Sequence, residues 1–190
     1  MPRFFRATCK ISLFAAALLC GGFTANAATY YVSQSTGDDS LDGLAAAKAG
    51  ANGPWKTLAK ASTEYKPGDS ILLKKGDTWN EEFTPKGSGT PEKPILISSY
   101  GQGNKPLIDR EDFKQDRTGI RLDNKSGYKI VGIEFARCMT GIYAEYAKGA
   151  PTQKYLWIED CYFRDSLHYG RYEDYPKRKI GLGICLFSFE

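Results

Sequence analysis

The chain has 190 residues, with 26 Lys and Arg against 22 Asp and Glu and a single histidine. Three of the bases, Arg3, Arg6 and Lys10, lie in the first 27 residues, which hold no acid, so the remainder carries 23 bases against 22 acids. That balance excludes a nucleic-acid partner argued from net charge, and the absence of any CxxC or Cys/His metal spacing excludes a zinc module.

The first segment reads as a targeting sequence. MPRFFRATCK is basic, ISLFAAALLC is apolar but too short to span a bilayer, and GGFTANA ends in a small-x-small pattern. These features predict a secretory signal peptide over 1–27, cleaved near Ala27, and a secreted or periplasmic protein. A membrane anchor lacks a second apolar run. Lipoprotein processing at Cys20 would need a small residue where Leu19 stands. About 163 residues then remain, one domain's worth. They keep Cys138, Cys161 and Cys185, an odd number, which read first as small buried apolar residues and second as one disulfide plus a free thiol.

Residues 28–66 predict a strand, a loop and a short helix. Thr29–Ser33 (TYYVS) is rich in strand formers, and STGDDSLDG (35–43) is dense in Gly, Asp and Ser. The acids of that loop lack the spacing and the closing Glu of an EF-hand, so they read as turn chemistry. PWKTLAKA (54–61) predicts a helix with Pro54 at its first position and Trp55, Leu58 and Ala59 on one face.

Residues 67–190 predict short strands between turns. SILLKKGDTW (70–79) is a strand running into a Gly-Asp turn, PILISSYG (94–101) is another, and LID (107–109) follows. YKIVGIEF (128–135) and LWIEDCYF (156–163) match at an offset of 28, with Ile130 over Ile158 and Phe135 over Phe163. Asp160 falls where the first copy has Gly132, so its role is structural. A Gly-Ile pair recurs at 119, 141 and 183. A bare unit of about 22 residues accounts for these offsets when extra residues are placed near AYAKGAPTQK and LHYGRYEDYPKRK. A period of 20–50 residues built from strands signifies a solenoid, here a parallel β-helix in which each Gly-Ile stretch is one strand on successive turns. Ile120, Ile142 and Ile184 then stack inward, followed by Leu122, Ala144 and Leu186. The Gly serves a sharp turn into the strand. The competing reading is an antiparallel sandwich with chance similarity.

YYVS, GDDSLDG, PWKTLAKA, KPGDSILLKKGDTW and GTPEKPILISSYG, followed by the Gly-Ile rungs, resemble the N-terminal end of secreted right-handed parallel β-helix proteins of the pectate-lyase-like superfamily. The resemblance implies an all-β right-handed parallel β-helix whose N-terminal helix caps the coil, and a polysaccharide as partner. Such coils have more rungs than 190 residues supply, and the expectation is a truncated one. The resemblance also implies that outward residues of the Gly-Ile strand and its flanking loops carry the chemistry.

Alternation along a strand places Arg121, Tyr143 and Cys185 in one outward column and Asp123, Glu145 and Phe187 in the next. Lyase chemistry needs a cation against a sugar carboxylate and a base for the neighbouring C–H. Asp123 and Glu145 would hold Ca²⁺ or act as acid and base, Arg121 would pair with the carboxylate, and Tyr143 would stack on a ring. Hydrolysis needs two carboxylates at a suitable separation. Against both stands a solvated ladder of mixed charge. The loop SLHYGRYEDYPKRK (166–179) adds His168, Tyr169 and Arg171 as candidate substrate contacts. The leading expectation is a lyase or hydrolase acting as a monomer on an acidic polysaccharide, with no nucleic-acid partner and no membrane span. The alternatives are a non-catalytic carbohydrate-binding or adhesion β-helix and an inactive fragment.

Overall fold

A computed structural model describes residues 27–111, 117–147, 155–166 and 182–188. The expected signal peptide, apart from Ala27, lies outside them, as do His168, Tyr169 and Arg171. The fold is all-β, with one helix of four residues among the described residues. No described helix is long and apolar enough to cross a membrane.

Three parallel sheets make up the body. The first joins β1 (Thr29–Val32), β2 (Ser70–Lys74), β4 (Ile95–Tyr100), β7 (Tyr128–Val131) and β10 (Leu156–Glu159) in that order. The second joins β3 (Thr78–Trp79), β5 (Leu107–Asp109), β8 (Glu134–Ala136) and β11 (Tyr162–Arg164). The third joins β6 (Thr118–Asp123), β9 (Thr140–Tyr146) and β12 (Leu182–Ser188). From β4 onward the chain visits first, second and third sheet in fixed rotation and begins again. Every pairing between these strands is parallel, which excludes the antiparallel sandwich.

The rotation produces columns of like side chains. Ile71, Ile97, Ile130 and Ile158 align in the first sheet. Trp79, Ile108, Phe135 and Phe163 align in the second. Ile120, Ile142 and Ile184 align in the third, and Phe83 extends that column through an isolated parallel bridge to Ile120. Most of these side chains belong to one buried cluster. Burying an isoleucine contributes about 2 kcal/mol, so the columns supply the main driving force for stacking the circuits.

The recurring glycine has a different cause from the one expected. Gly119, Gly141 and Gly183 do not appear among the positive-φ residues, so no tight turn demands them. A Cβ at Gly119 would lie 2.7 Å from the Phe135 ring and 2.6 Å from the Gly141 carbonyl oxygen. A Cβ at Gly141 would lie 2.5 Å from the Phe163 ring and 2.6 Å from the Gly183 oxygen. The glycine leaves room for the aromatic ring of the next circuit. Phe135 and Phe163 themselves stack at 5.0 Å with their planes 7° apart. The left-handed turn lies instead at Gly132 (φ 72°) and, one circuit on, at Asp160 (φ 51°). Asp160 is therefore structural, and its carboxylate also takes the ammonium of Lys105 at 2.5 Å.

The helix is shorter than its sequence pattern predicts. It runs over α1 (Leu58–Ala61) with Thr57 as N-cap. Trp55 instead forms a parallel bridge with Val32, because its N–H donates to the Tyr31 carbonyl and its own carbonyl accepts from the Ser33 N–H. Asp39 fixes the change of direction by accepting from the backbone N–H of Lys56 and Thr57 and from the Thr57 hydroxyl. Leu58 and Ala61 are the buried helical residues, and Ala59 is exposed. Trp55 stacks on Tyr30 at 5.2 Å and donates from its indole N–H to the Leu41 carbonyl. The rest of the acidic loop is turn chemistry: Asp38 accepts from Ser40, and Asp42 from Leu44 and Gly53.

Candidate functional site

The outer face of the third sheet carries the candidate residues in the expected columns. Arg121 pairs in register with Tyr143 and Tyr143 with Cys185; Asp123 pairs with Glu145 and Glu145 with Phe187. Within β6 and β9 neighbouring residues alternate, so Ile120, Leu122, Ile142 and Ala144 are fully buried while Arg121, Asp123, Tyr143 and Glu145 face outward; in β12 Ile184 and Leu186, expected inward, are 42% and 58% exposed, whereas Cys185, expected outward, is buried.

Arg121 organises the face. Its Nε donates to Oε1 of Glu82 at 3.0 Å and its Nη2 to the Thr118 hydroxyl at 3.1 Å. Its Nη1 lies 3.8 Å from the Asp123 carboxylate. The guanidinium carbon stands 4.7 Å over the Tyr143 ring, a cation–π contact. The Tyr143 hydroxyl donates to the Glu145 carboxylate, and its ring leans on Phe187 at 5.9 Å. Cys185 continues the Arg121–Tyr143 column as a largely buried apolar neighbour rather than an exposed thiol.

The electrostatics follow from this packing. Burial works against the charge of Arg121, but the hydrogen bond and charge of Glu82 outweigh it and hold the guanidinium above its ordinary value. Burial pushes the Asp123 carboxyl up; Arg121 opposes this, while Glu145 and Glu82 add to it. Tyr143 is pushed up to about 12, first by donating to Glu145 and then by burial. It is therefore a fixed donor at neutral pH rather than a base.

Two members of the cluster escaped the sequence reading. Glu82 lies beside Phe83, whose rung carries no Gly-Ile signature, and it reaches Arg121 across 39 positions of chain. Thr118 directly precedes the Gly119 repeat. The only signal for Glu82 was a lone phenylalanine among polar residues at 80–84.

The residues expected to hold Ca²⁺ do not fit that ion. Ca²⁺ takes six to eight oxygens, and among the described residues no group of three or more His, Cys, Asp or Glu is gathered for a metal. Glu145 is engaged by Tyr143, and Asp123 faces a guanidinium.

Comparison with known proteins gives related enzymes. No protein-family model matches the chain. A lacto-N-biosidase of Bifidobacterium longum subsp. longum is 38% identical over 92 residues, covering 45% of this chain and 5% of that protein. Two crystal structures of a GH136 lacto-N-biosidase from Eubacterium ramulus superpose on this chain. The selenomethionine derivative gives a TM-score of 0.63 at 21% identity over 86% of this chain, and the native protein 0.62 at 22% over 84%. The chain spans 31% and 30% of the length of those two structures.

Proposed function

We propose that this chain is an exported carbohydrate-acting segment, wound as a right-handed parallel β-helix, whose third-sheet face hydrolyses a glycosidic bond. The similarity to a lacto-N-biosidase supports the carbohydrate class and the hydrolytic direction. The observation that carries the site is the pairing of Asp123 with Glu145 on adjacent strands in unlike surroundings.

Glycoside hydrolysis uses two carboxyl groups, one protonated and one charged. Adjacent parallel strands stand about 4.8 Å apart, so the two side chains start from backbones close enough for the roughly 5 Å carboxyl separation that retaining enzymes use. Asp123, with its carboxyl pushed up, is the proton donor to the glycosidic oxygen as the bond to the anomeric carbon breaks. Glu145, oriented by the Tyr143 hydroxyl, attacks that carbon. Water then cleaves the glycosyl ester, and Asp123 takes its proton. Tyr143 and Phe187 offer rings on which a sugar packs.

Hydrolysis is favoured over lyase action by the state of Arg121. β-Elimination needs a cation free to pair with the sugar carboxylate, whereas Arg121 shares this face with three acids, Glu82, Asp123 and Glu145, whose charge opposes an anionic sugar. The same reasoning favours a neutral saccharide over an acidic one.

The test is turnover of nitrophenyl glycosides and of neutral and acidic oligosaccharides by the full chain. Asp123→Asn and Glu145→Gln should each lower kcat by about 10²-fold or more. Two variants with unchanged turnover would show that these acids do not catalyse. An ultraviolet-absorbing unsaturated product would replace hydrolysis by elimination. Binding without turnover in the unmodified protein would favour a carbohydrate-binding role.

A further inference from the structure

A second concave site lies on a different part of the molecule, at the corner where the first sheet passes into the second. It is a cavity of about 200 Å³ walled by Thr78, Asn104, Lys105, Leu107, Glu134 and Arg164. It shares no residue with the third-sheet cluster. Thr78, Leu107 and Glu134 occupy one outward column on three successive strands, and Tyr162 is the next residue of that column, paired with Glu134.

The cations here are held in place by acids close to them in space. Lys105 is paired with Asp160 at 2.5 Å, and Arg164 with Glu134 at 2.5 Å and with Asp165 at 2.9 Å. Asp77 also lines the cavity, with one carboxylate oxygen accepting from the Ser33 hydroxyl and the Ser35 N–H. Two cations and two carboxylates therefore line it directly, for a formal charge of zero. Each still has capacity: an ammonium has three donors, a guanidinium five, and a carboxylate about four acceptor positions. A net-neutral wall of fixed donors and acceptors discriminates against phosphate and carboxylate ligands. It matches a ligand whose every polar group both donates and accepts, a polyol.

Size and edge chemistry narrow the class. Drug-sized ligands occupy roughly 300–1,000 Å³, so about 200 Å³ holds one small ring rather than a chain. Leu107 gives the wall one apolar patch for a C–H face. Tyr162, 55% exposed on the next strand, provides a flat amphipathic ring at the margin.

We propose that this corner is a second saccharide subsite, which takes a single neutral pyranose and is separate from the third-sheet face. It does not depend on the hydrolytic reading, and it holds whether or not Asp123 and Glu145 catalyse.

The experiment is a backbone amide NMR titration of the full chain with glucose, galactose, mannose and N-acetylglucosamine, alongside glucuronate and inorganic phosphate. At least one neutral sugar should shift the amides of Gly76, Thr78, Asn104 and Leu107 in a saturable way. Lys105→Ala and Tyr162→Ala, both at partly exposed positions, should each weaken that binding by roughly tenfold, as for the loss of one strong contact, with the remaining amide spectrum unchanged. The proposal fails if no neutral sugar shifts these amides, if only phosphate or glucuronate does, or if both variants bind as the unmodified chain does. Shifts confined to residues 118–123 and 140–146 would assign the sugar to the third sheet alone and also overturn it.

Discussion

Arg121 and Glu82 meet at 3.0 Å between adjacent circuits of the chain, both about 28–29% exposed at the side chain. The pair keeps the guanidinium from closing on Asp123, which stands 3.8 Å away. Glu82→Ala should release Arg121 toward Asp123 and remove one of the charges that push the Asp123 carboxyl up. The Asp123 resonance in a carbon-detected NMR pH titration should then move its midpoint to lower pH. An unchanged or higher midpoint would show that Glu82 does not set the environment of Asp123. The loss of folding stability should be about 1 kcal/mol or less, because the pair is partly solvated.

Asp123 also links stability to pH. Its folded carboxyl sits above its ordinary value, so between roughly pH 3.9 and the folded midpoint the native state binds more protons than the unfolded chain. Stability contributed by this group therefore falls as pH rises through that window. Asp123→Asn should remove the fall. Thermal melts from pH 3 to 7 should show the variant gaining on the unmodified chain as pH rises, and parallel curves would contradict the assigned shift.

Gly141 and Phe163 make a second testable pair. Gly141→Ala would drive a methyl to within 2.5 Å of the ring and 2.6 Å of the Gly183 oxygen. Strain of this kind costs about 1–3 kcal/mol, read as a fall in Tm. Replacing the ring as well, Gly141→Ala with Phe163→Leu, should lose less than the sum of the two single changes, with a coupling of at least about 0.5 kcal/mol. Gly183→Ala should be milder, since its nearest atom would be 3.3 Å away. Additive losses would mean that the glycine serves the backbone rather than the ring.

Cys138 is fully buried and its thiol is pushed up to about 12, chiefly by desolvation. Because the thiolate is the nucleophile, Cys138 should resist a water-soluble alkylating reagent at pH 8 until the chain unfolds. Mass spectrometry of the labelled peptide measures this directly, and rapid labelling under native conditions would contradict the burial. The three described cysteines are free, which fits the apolar reading and leaves the single-disulfide alternative without support.

The columns of the third sheet were legible because side-chain position in a stacked coil depends only on the offset between repeats. Ile120, Ile142 and Ile184, and with them Arg121, Tyr143, Asp123 and Glu145, fell where the Gly-Ile spacing put them. The reason for the glycine was not legible. The ring that needs the space belongs to Phe135 or Phe163 on a different sheet, and no local rule links the two. The helix began late because Asp39, far back in a loop, captured the N–H groups of Lys56 and Thr57. Glu82 stayed hidden for a related reason: its rung is marked by Phe83 alone.

The strands of adjacent circuits keep their register although the links between them differ in length. Residues 124–127 connect β6 to β7, whereas 147–155 connect β9 to β10. A side chain on this scaffold thus has a two-part address, its sheet and its circuit, which an inserted loop does not alter. A corner can lengthen by several residues and change what overhangs the third sheet while the distance from Asp123 to its neighbour Glu145 stays the same. Under the function proposed above, recognition and catalysis would therefore vary separately, one through the lengths of the corners and the other through single substitutions within a column.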